Sequence, residues 1–508
     1  MSGKKKLLHL VYGRTIFVAL SIVAQILLLM CFFKLISNIT PLISLVLIVF
    51  IINSKTNPVF KLAWIIPITV FPVFGGLFYL FFTLQSSPRK MNKRLQDIFK
   101  STKPILGKNS EVQERLKSED LQMANLSNYI TNCGGYPPCE NTDVTFFNLG
   151  EEMFDSILEE LEKAEHFIFL EYFIIDYGYM WEKILSVLKK KAAQGVEVRV
   201  MYDGLCCLAL LPFNYPSQLK KYNIKCKMFS PIRPVLSSYQ NNRDHRKIFV
   251  IDGKVAYNGG VNLADNYINR KCKYGHWKDT AVMLKGEAVN NFTIMFLEMW
   301  NITEKENDDY RKYVLPKSKH THQCHSTGIV IPYGDSPLDD YTVGKDIYID
   351  ILNTAKRYVK IMTPYLVMDN EMFSALQYAS RRGVKVSIIL PHISDSITTF
   401  LLARKDYKSL IQEGIKIYEY IPGFVHAKEF ISDDEKAVVG SINLDYRSLY
   451  LHFECATLMY KTPVIKDIYD DYEKTLSKCK LITLDDCRNF PWYQKVGGSI
   501  LKLIAPLL

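Results

Sequence analysis

The first 96 residues of this 508-residue chain contain no aspartate or glutamate. Eleven lysines and arginines lie there instead, so this segment carries the whole formal charge of +11, and the remainder balances 52 basic against 52 acidic residues. A nucleic-acid-binding protein is expected to keep a basic surplus on its folded body, so that class is disfavoured. The 48% content of hydrophobic residues excludes bulk disorder, and the length predicts more than one domain.

Cysteine patterns typical of metal sites and of regular disulfide frameworks are also missing. None of the 11 cysteines forms a CxxC pair, and their irregular spacing agrees with a reducing compartment. A histidine-rich stretch, His320–His325, lies in the polar segment Thr303–Ser326, which is typical of a linker. We interpret it as a solvated connector rather than a zinc site, and we expect neither a metal nor another cofactor.

Three uncharged apolar runs occupy the acid-free segment. Thr15–Phe33, Leu35–Ser54 and Leu62–Leu84 contain 19, 20 and 23 residues, and a helix needs about 20 to cross the hydrocarbon layer. Two prolines and two glycines in the third run would let it enter the membrane and return; alternatively, the first run lies flat. Because basic clusters at both ends favour the cytoplasm, we predict two net crossings, a multi-pass cell-membrane protein and a cytoplasmic body.

An internal repeat at an offset of 181 residues is the strongest signal in the chain. His245–Asp252 and His426–Asp433 share the pattern HxKx4D, and each is followed at matched spacing by a Gly-x-x-Asn tail that ends at Asn262 or Asn443. On a strand, residues i and i+2 share a face, so the histidine and lysine of each copy project together. If the two copies pack as a pseudo-twofold pair, two histidines, two lysines and two asparagines meet in one cleft.

Similar predicted elements surround the two copies. A strand, a helix that ends before Gly195 or Gly383 and a second strand precede each motif, which predicts βαβ units in an α/β fold. The predicted fold class is a set of N-terminal transmembrane helices followed by two pseudo-twofold-related α/β/α halves with mixed sheets. The predicted divisions are a membrane anchor (1–95), a connector (96–145), a first half (146–303), a linker (304–326), a second half (327–480) and a C-terminal helix (481–508) that is either interfacial or packed on the body.

The paired motifs suit chemistry on a phosphodiester. Two ammonium groups and two carboxamides, from Lys247, Lys428, Asn262 and Asn443, form a phosphate-binding site. One neutral imidazole can attack phosphorus and form a phosphohistidine, while the other gives a proton to the departing alkoxide and takes one from the incoming alcohol. The two histidines must therefore hold opposite protonation states.

These residues resemble the two HxKx4Dx6GSxN motifs of the phospholipase D superfamily, and more narrowly the chain is similar to bacterial cardiolipin synthases. The resemblance extends from about Leu35 to the C-terminus. Besides the two motifs, it rests on Asn57–Tyr79, Asn241–Lys247, Trp277–Thr280, Pro364–Tyr365 and Ala505–Leu508.

The resemblance implies a role for each site residue. His245 is the expected nucleophile and His426 the expected general acid and then base. Asp279 and Glu454 are expected to orient the histidines. Asp252 and Asp433 complete the catalytic motifs as supporting residues. The chain departs from the pattern at Gly260, where the superfamily has serine, and at Leu449 and His452, where phenylalanine and asparagine are expected.

The function implied is that of a cardiolipin synthase, a phosphatidyltransferase that joins two phosphatidylglycerols and releases glycerol. Its partners would be phosphatidylglycerol and anionic membrane lipid, with no nucleic acid. A phospholipase D-type hydrolase, or a transphosphatidylase with another acceptor such as phosphatidylethanolamine or a small alcohol, is the alternative. A nuclease is disfavoured by the neutral body, and a non-enzymatic scaffold by the completeness of both motifs. The acceptor specificity and the oligomeric state are left open.

Overall fold

The computed structural model describes residues 20–27 except 22, 41–83 except 55, 86–231, 241–316, 326–502 and 505. The apolar run Thr15–Phe33 lies mostly outside these residues, and the stretch His320–His325 lies wholly outside them. The basic cluster at the chain start lies outside them too.

Short helices, rather than one long one, form the described part of the N-terminal segment. Residues 41–52 are helical (α1), and α2 (Pro58–Val70) and α3 (Pro72–Thr83) have 13 and 12 residues. At about 1.5 Å per residue each covers roughly 20 Å, against the ~30 Å of a hydrocarbon layer. No described helix combines the length and the apolar character that a bilayer crossing requires. The expected transmembrane helices are therefore not found in this part of the chain.

The run Leu62–Leu84 in particular is a pair of helices with a break between them. Phe71 has φ −128° and ψ 74°, outside the helical region, because the ring of the following Pro72 disfavours helical geometry at the preceding residue. The two helices pack closely: a Cβ atom on Gly75 would lie 2.5 Å from the carbonyl oxygen of Pro67. This arrangement is a tight helical pair and not a single crossing helix.

Three further helices join this segment to the body. They are α4 (Ser86–Leu106), α5 (Ser110–Glu119) and α6 (Leu121–Tyr129), followed by a π-helical turn, Ile130–Gly134. Leu95, Leu116 and Met123 from these helices are buried in the largest core cluster of the protein. The region 96–145 is thus mainly helical and contributes to the core.

The first half is built on a seven-stranded mixed sheet in the order β1-β9-β7-β6-β2-β3-β4. Its strands are β1 (Thr142–Phe147), β2 (Phe167–Tyr172), β3 (Glu197–Asp203), β4 (Ile224–Phe229), β6 (Lys247–Ile251), β7 (Val255–Gly259) and β9 (Ala281–Gly286), and the short strands β5 (Arg243–Asp244) and β8 (His276–Lys278) lie off it. Its helices are α7 (Gly150–Glu162), α8 (Tyr179–Ala193), α9 (Tyr215–Lys220) and α10 (Val289–Asn301).

The second half repeats this plan in the order β10-β19-β17-β16-β11-β13-β14-β20. Its strands are β10 (Ile329–Asp335), β11 (Tyr358–Met362), β12 (Leu366–Val367), β13 (Lys385–Pro391), β14 (Lys416–Tyr420), β15 (Gly423–Val425), β16 (Glu429–Ser432), β17 (Lys436–Gly440), β18 (Leu444–Asp445), β19 (His452–Tyr460) and β20 (Cys479–Leu481). Its helices are α11 (Val343–Thr354), α12 (Asn370–Arg381), α13 (Ile397–Gln412), α14 (Tyr446–Tyr450), α15 (Val464–Leu476), α16 (Leu484–Asn489) and α17 (Trp492–Lys502). The predicted α/β class with two mixed-sheet halves is confirmed, and Gly195 and Gly383 end their helices with φ of 93° and 91°.

Two pairs of short strands connect the halves. β5 pairs in parallel with the start of β19, so that Arg243 lies opposite His452. β8 pairs in parallel with β15, so that His276 lies opposite Gly423. Helix α10, buried along almost its whole length, contacts strands of both sheets. These connections hold the two repeated motifs against each other.

Candidate active site

His245 is held by the second half of the chain. It follows β5, and its backbone N–H donates to the carbonyl oxygen of Phe453 at 2.9 Å. This contact places the imidazole beside the next residue, Glu454, whose Oε1 and Oε2 lie 2.8 and 3.0 Å from His245 Nδ1. Because the carboxyl group of Glu454 engages Nδ1, Nε2 is the ring nitrogen of His245 that is left for chemistry.

His426 is held in the same way by the first half. Its backbone N–H donates to the carbonyl oxygen of Lys278 at 2.6 Å. Its Nδ1 lies 2.6 Å from Oδ2 of the next residue, Asp279. The expected orienting carboxylates therefore both contact a histidine, and each one orients the histidine of the other half.

The two motif lysines are buried beside their histidines. Lys247 Nζ donates to the backbone oxygen of His245 at 2.5 Å, and Lys428 Nζ donates to that of His426. Burial lowers the pKa of Lys247 to about 8 and that of Lys428 to about 7. An anion placed between these ammonium groups would stabilise their charged forms.

The histidines are electrostatic neighbours of both lysines. Burial, followed by the charge of Lys247, holds the pKa of His245 well below its usual value, and Lys428 and His426 act in the same direction. Burial and then Lys428 lower the pKa of His426 to about 4, although Asp279 opposes the shift. Burial raises the pKa of Glu454 well above its usual range. Both imidazoles are therefore neutral in the unliganded site at neutral pH.

The two motif asparagines are not equivalent. Asn262 donates to the hydroxyl of Tyr267 at 2.7 Å and accepts from the backbone N–H of Ile174 at 3.1 Å, so its amide is engaged within the protein. Asn443 is buried, and its Oδ1 has no hydrogen-bond partner among the residues that the structure describes. For Asn262 to bind phosphate, its amide would have to replace the hydrogen bond to Tyr267 by one to the phosphate.

The motif aspartates lie away from the histidines. Asp252 accepts from the backbone N–H groups of residues 165, 166 and 167 at 2.7–2.8 Å, and Asp433 from those of residues 356, 357 and 358 at 2.7–2.9 Å. Each aspartate lies seven positions after its histidine in the chain, roughly 20 Å away for extended backbone at ~3.3 Å per residue. Both carboxylates secure the start of a central strand and do not contact the reacting groups.

Gly260 is required by the orienting carboxylate. A Cβ atom at this position would lie 2.1 Å from Asp279 Oδ1 and 3.0 Å from the backbone oxygen of His426. At the equivalent position of the second half, Ser441 donates its hydroxyl to Glu454. The departure from the superfamily pattern thus leaves room for Asp279, while the serine of the second motif supports Glu454.

A third histidine lies in the site and was not assigned a role from the sequence. The rings of His452 and His245 are 5.5 Å apart between centroids, and both ring nitrogens of His452 are buried without a hydrogen-bond partner in the described part of the chain. Burial, then the charges of Arg447 and Lys247, hold its pKa well below the usual value. The available signal was its position two residues before Glu454 on one strand, which puts both side chains on one face.

His245, His452 and Glu454 offer potential metal-ligand atoms within 4.8 Å of one another. The charges around them are nevertheless mainly positive, since Lys247 and Lys428 act on His245 and Arg243 and Arg447 act on His452. Such a field favours an anion over a divalent cation. The donor set is therefore better suited to binding a phosphoryl group.

Comparison with known proteins agrees with this geometry. A family profile described as "Cardiolipin synthase, PLD-like domain" matches residues 157–300 and 348–478, which include both motifs. The chain belongs to the cardiolipin synthase family. It is a phosphatidyltransferase. A second profile, described as phospholipase D-nuclease N-terminal, matches residues 42–82, in line with the membrane association of the family.

Curated relatives match over most of the chain. A cardiolipin synthase of Alkalihalophilus pseudofirmus is 31% identical over 91% of this chain and 91% of its own length. One from Geobacillus kaustophilus is 32% identical over 92% of both. An uncharacterised protein of Streptococcus mutans is 48% identical over 91% of this chain and 99% of its own. Among solved structures, phosphatidylserine synthase of Haemophilus influenzae covers 76% of this chain and 98% of its own, with a TM-score of 0.57 at 14% identity, and so shares the fold.

Proposed function

We propose that the protein transfers a phosphatidyl group from one phosphatidylglycerol to another, giving cardiolipin and glycerol. The observation that supports this most is the reciprocal arrangement of the site: two buried imidazoles, each oriented by a carboxylate of the opposite half and each next to a buried lysine. A double displacement on a phosphodiester needs one group that attacks phosphorus and one that transfers protons, both next to a site that binds the anion. The two imidazoles and two lysines can supply these groups.

In the first step, Nε2 of neutral His245 attacks the phosphorus of the donor lipid. The bond from phosphorus to the glycerol oxygen breaks, and protonated His426 gives its proton to that oxygen as glycerol leaves. The bound phosphodiester anion, together with Asp279, raises the proton affinity of His426 above that of the empty site. Lys247 and Lys428 stabilise charge on the non-bridging oxygens, at about 3–4 kcal/mol per well-placed donor.

In the second step, a hydroxyl of the acceptor phosphatidylglycerol attacks the phosphohistidine. His426, now neutral, takes the hydroxyl proton, the phosphorus–nitrogen bond to His245 breaks, and cardiolipin is released. The site returns to its starting protonation state, so each turnover consumes two lipids and releases one glycerol.

The assignment of His245 as nucleophile is supported by an asymmetry between the halves. Burial and Lys247 hold the pKa of His245 well below its usual value, whereas Asp279 opposes the lowering of the pKa of His426. Ser441 also donates its hydroxyl to Glu454, the partner of His245. A neutral imidazole suits the nucleophile. His426, whose Nδ1 contacts Asp279, is the better proton carrier.

We further propose that the N-terminal helices attach the enzyme to the cell membrane and that the body is cytoplasmic. The absence of acidic residues before Asp97 and the exposed apolar side chains of α1–α3 support this placement. A reporter fused after residue 95 should be active only on the cytoplasmic side. Activity on the outer side alone would refute the orientation.

The reaction is tested with purified full-length protein and phosphatidylglycerol labelled in its headgroup and acyl chains. Cardiolipin and glycerol in equal amounts are expected. Phosphatidic acid as the sole lipid product would assign a hydrolase instead. Brief acid-free quenching and peptide mapping should locate the phosphoryl group on His245, and a label on His426 would reverse the two roles.

A further inference from the structure

Helix α17 (Trp492–Lys502) presents its apolar side to the outside. Trp492, Val496 and Ile500 recur every fourth residue and are 74%, 48% and 59% exposed, with Tyr493 beside them at 60%. At 3.6 residues per turn, these four positions span only about 100° of the helix surface. They form a continuous apolar stripe, which we call the α17 stripe.

The opposite side of the same helix packs on the body through glycine and polar groups. Gly498 approaches α13 so closely that a Cβ atom there would lie 2.8 Å from the carbonyl oxygen of Leu401. On the same side, Arg404 donates to Gln494 Oε1 at 3.2 Å, and Lys405 Nζ donates to Ser499 Oγ at 2.7 Å at the edge of the stripe. A surface helix of a globular protein normally buries its apolar face, and α17 does the reverse.

Helix α17 adjoins the start of the N-terminal helix α2. Leu501, on the side facing the body, packs with Phe60 at the start of α2 in one small hydrophobic cluster. Asn57 Nδ2 also donates to the hydroxyl of Tyr450 at 2.9 Å, which fixes the start of α2 on the body. Along α2, Leu62, Ile66 and Val70 also recur every fourth residue and are exposed as well.

We infer that the α17 stripe lies in the interfacial layer of a phospholipid bilayer and so fixes the catalytic body against the membrane surface. Tryptophan and tyrosine at one end of an aliphatic stripe, with Lys495 and Lys502 along one edge of it, are the composition that this layer favours. The position of α17 beside α2 favours a bilayer over another occupant, because α2 also exposes an apolar row, Leu62, Ile66 and Val70. The inference rests on the proposed membrane attachment of those helices, and it adds a second contact at the far end of the chain.

The test uses full-length wild type and Trp492→Phe, reconstituted into phosphatidylglycerol vesicles. The protein has five tryptophans, so the difference between the two emission spectra isolates Trp492. Lipids brominated near the headgroup end of the acyl chain should quench that difference signal, because the apolar face of an interfacial helix is buried ~5–10 Å into the boundary between headgroups and acyl chains. A matched control carries Tyr222→Trp in the Trp492→Phe background, an exposed aromatic position of the first half, and should be insensitive to the brominated lipid.

The outcomes separate this inference from the attachment on which it rests. If the protein does not float with vesicles, the proposed attachment itself fails. If it floats but Trp492 is quenched only by aqueous iodide, the stripe faces water and the inference is overturned. Protection from both quenchers that grows with protein concentration would mean that a second copy covers the stripe, which also overturns it.

Discussion

Replacing Lys428 by methionine should make the protein more stable and inactive. The side chain is 1% exposed, and burial lowers its pKa from 10.5 to about 7. At ~1.4 kcal/mol per pKa unit, this difference costs about 4 kcal/mol of unfolding free energy at pH 7. Methionine keeps much of the apolar stem and removes the charge, so Lys428→Met should gain about 2–4 kcal/mol in unfolding free energy while losing phosphodiester binding.

The pH dependence of this gain gives a sharper test. A lysine with a lowered folded-state pKa is charged in both states below pH 7, where its penalty is complete, and is neutral in both above pH 10.5. The stability of the unliganded wild type should therefore rise with pH across this window. By the same linkage, the advantage of Lys428→Met should shrink to about 1 kcal/mol at pH 10. Thermal or urea unfolding of wild type and Lys428→Met, in the same detergent at pH 7 and pH 10, measures this difference in unfolding free energy.

Controls separate charge from packing. Lys254→Met, on an exposed turn, should change the unfolding free energy by less than about 0.5 kcal/mol. Inorganic phosphate should stabilise the wild type more than Lys428→Met, because the anion restores the favourable environment of the ammonium. The hypothesis that the buried charge of Lys428 destabilises the fold would be refuted if Lys428→Met were less stable than wild type at pH 7. It would also be refuted if the difference in unfolding free energy did not change with pH.

Three further predictions concern the remaining groups. Gly260→Ser, which restores the superfamily residue, should displace Asp279 and lower the transfer rate by about 100-fold or more; a rate near wild type would show that the carboxylate can move without loss. Glu454→Gln should slow phosphoryl trapping on His245 by about 10²–10⁴-fold although it lies in the other half, and a defect confined to the second step would contradict the pairing. Asp252→Asn should lower the unfolding free energy by about 1–3 kcal/mol and leave kcat per folded molecule unchanged. A tenfold fall in kcat would show instead that Asp252 has a catalytic role.

The repeated motif was sufficient to predict two α/β halves with mixed sheets. Of the motif residues, the histidines and lysines are the ones that the structure brings close together. The glycines after two helices correctly indicated their ends. The expectation that each histidine and lysine share a strand was wrong, because His245 lies between β5 and β6 and residues 426–428 lie between β15 and β16. The two residues of each motif are nevertheless adjacent, since the lysine Nζ donates to the backbone oxygen of the histidine. The break inside Leu62–Leu84 also had a signal, since proline disfavours a helical residue before it. Hydropathy alone shows Leu62–Leu84 as one uncharged apolar run, because the hydropathy of a segment does not depend on where a helix in it ends.

The exchange of orienting carboxylates could not be predicted from spacing alone. Glu454 is 209 residues from His245, and Asp279 is 147 residues from His426. Their contacts depend on two short parallel strand pairs that link the halves, and strands of two or three residues have no periodicity to detect. The sequence shows that His452 departs from the superfamily pattern, but its position in the site depends on the pairing of β5 with β19.

Because the carboxylates are exchanged, neither motif forms a working unit by itself. A fragment that ends between the halves would carry His245 without Glu454 and Asp279 without His426. Co-expressed fragments should accordingly regain turnover only as a heterodimer, which makes this protein a candidate for split-enzyme complementation.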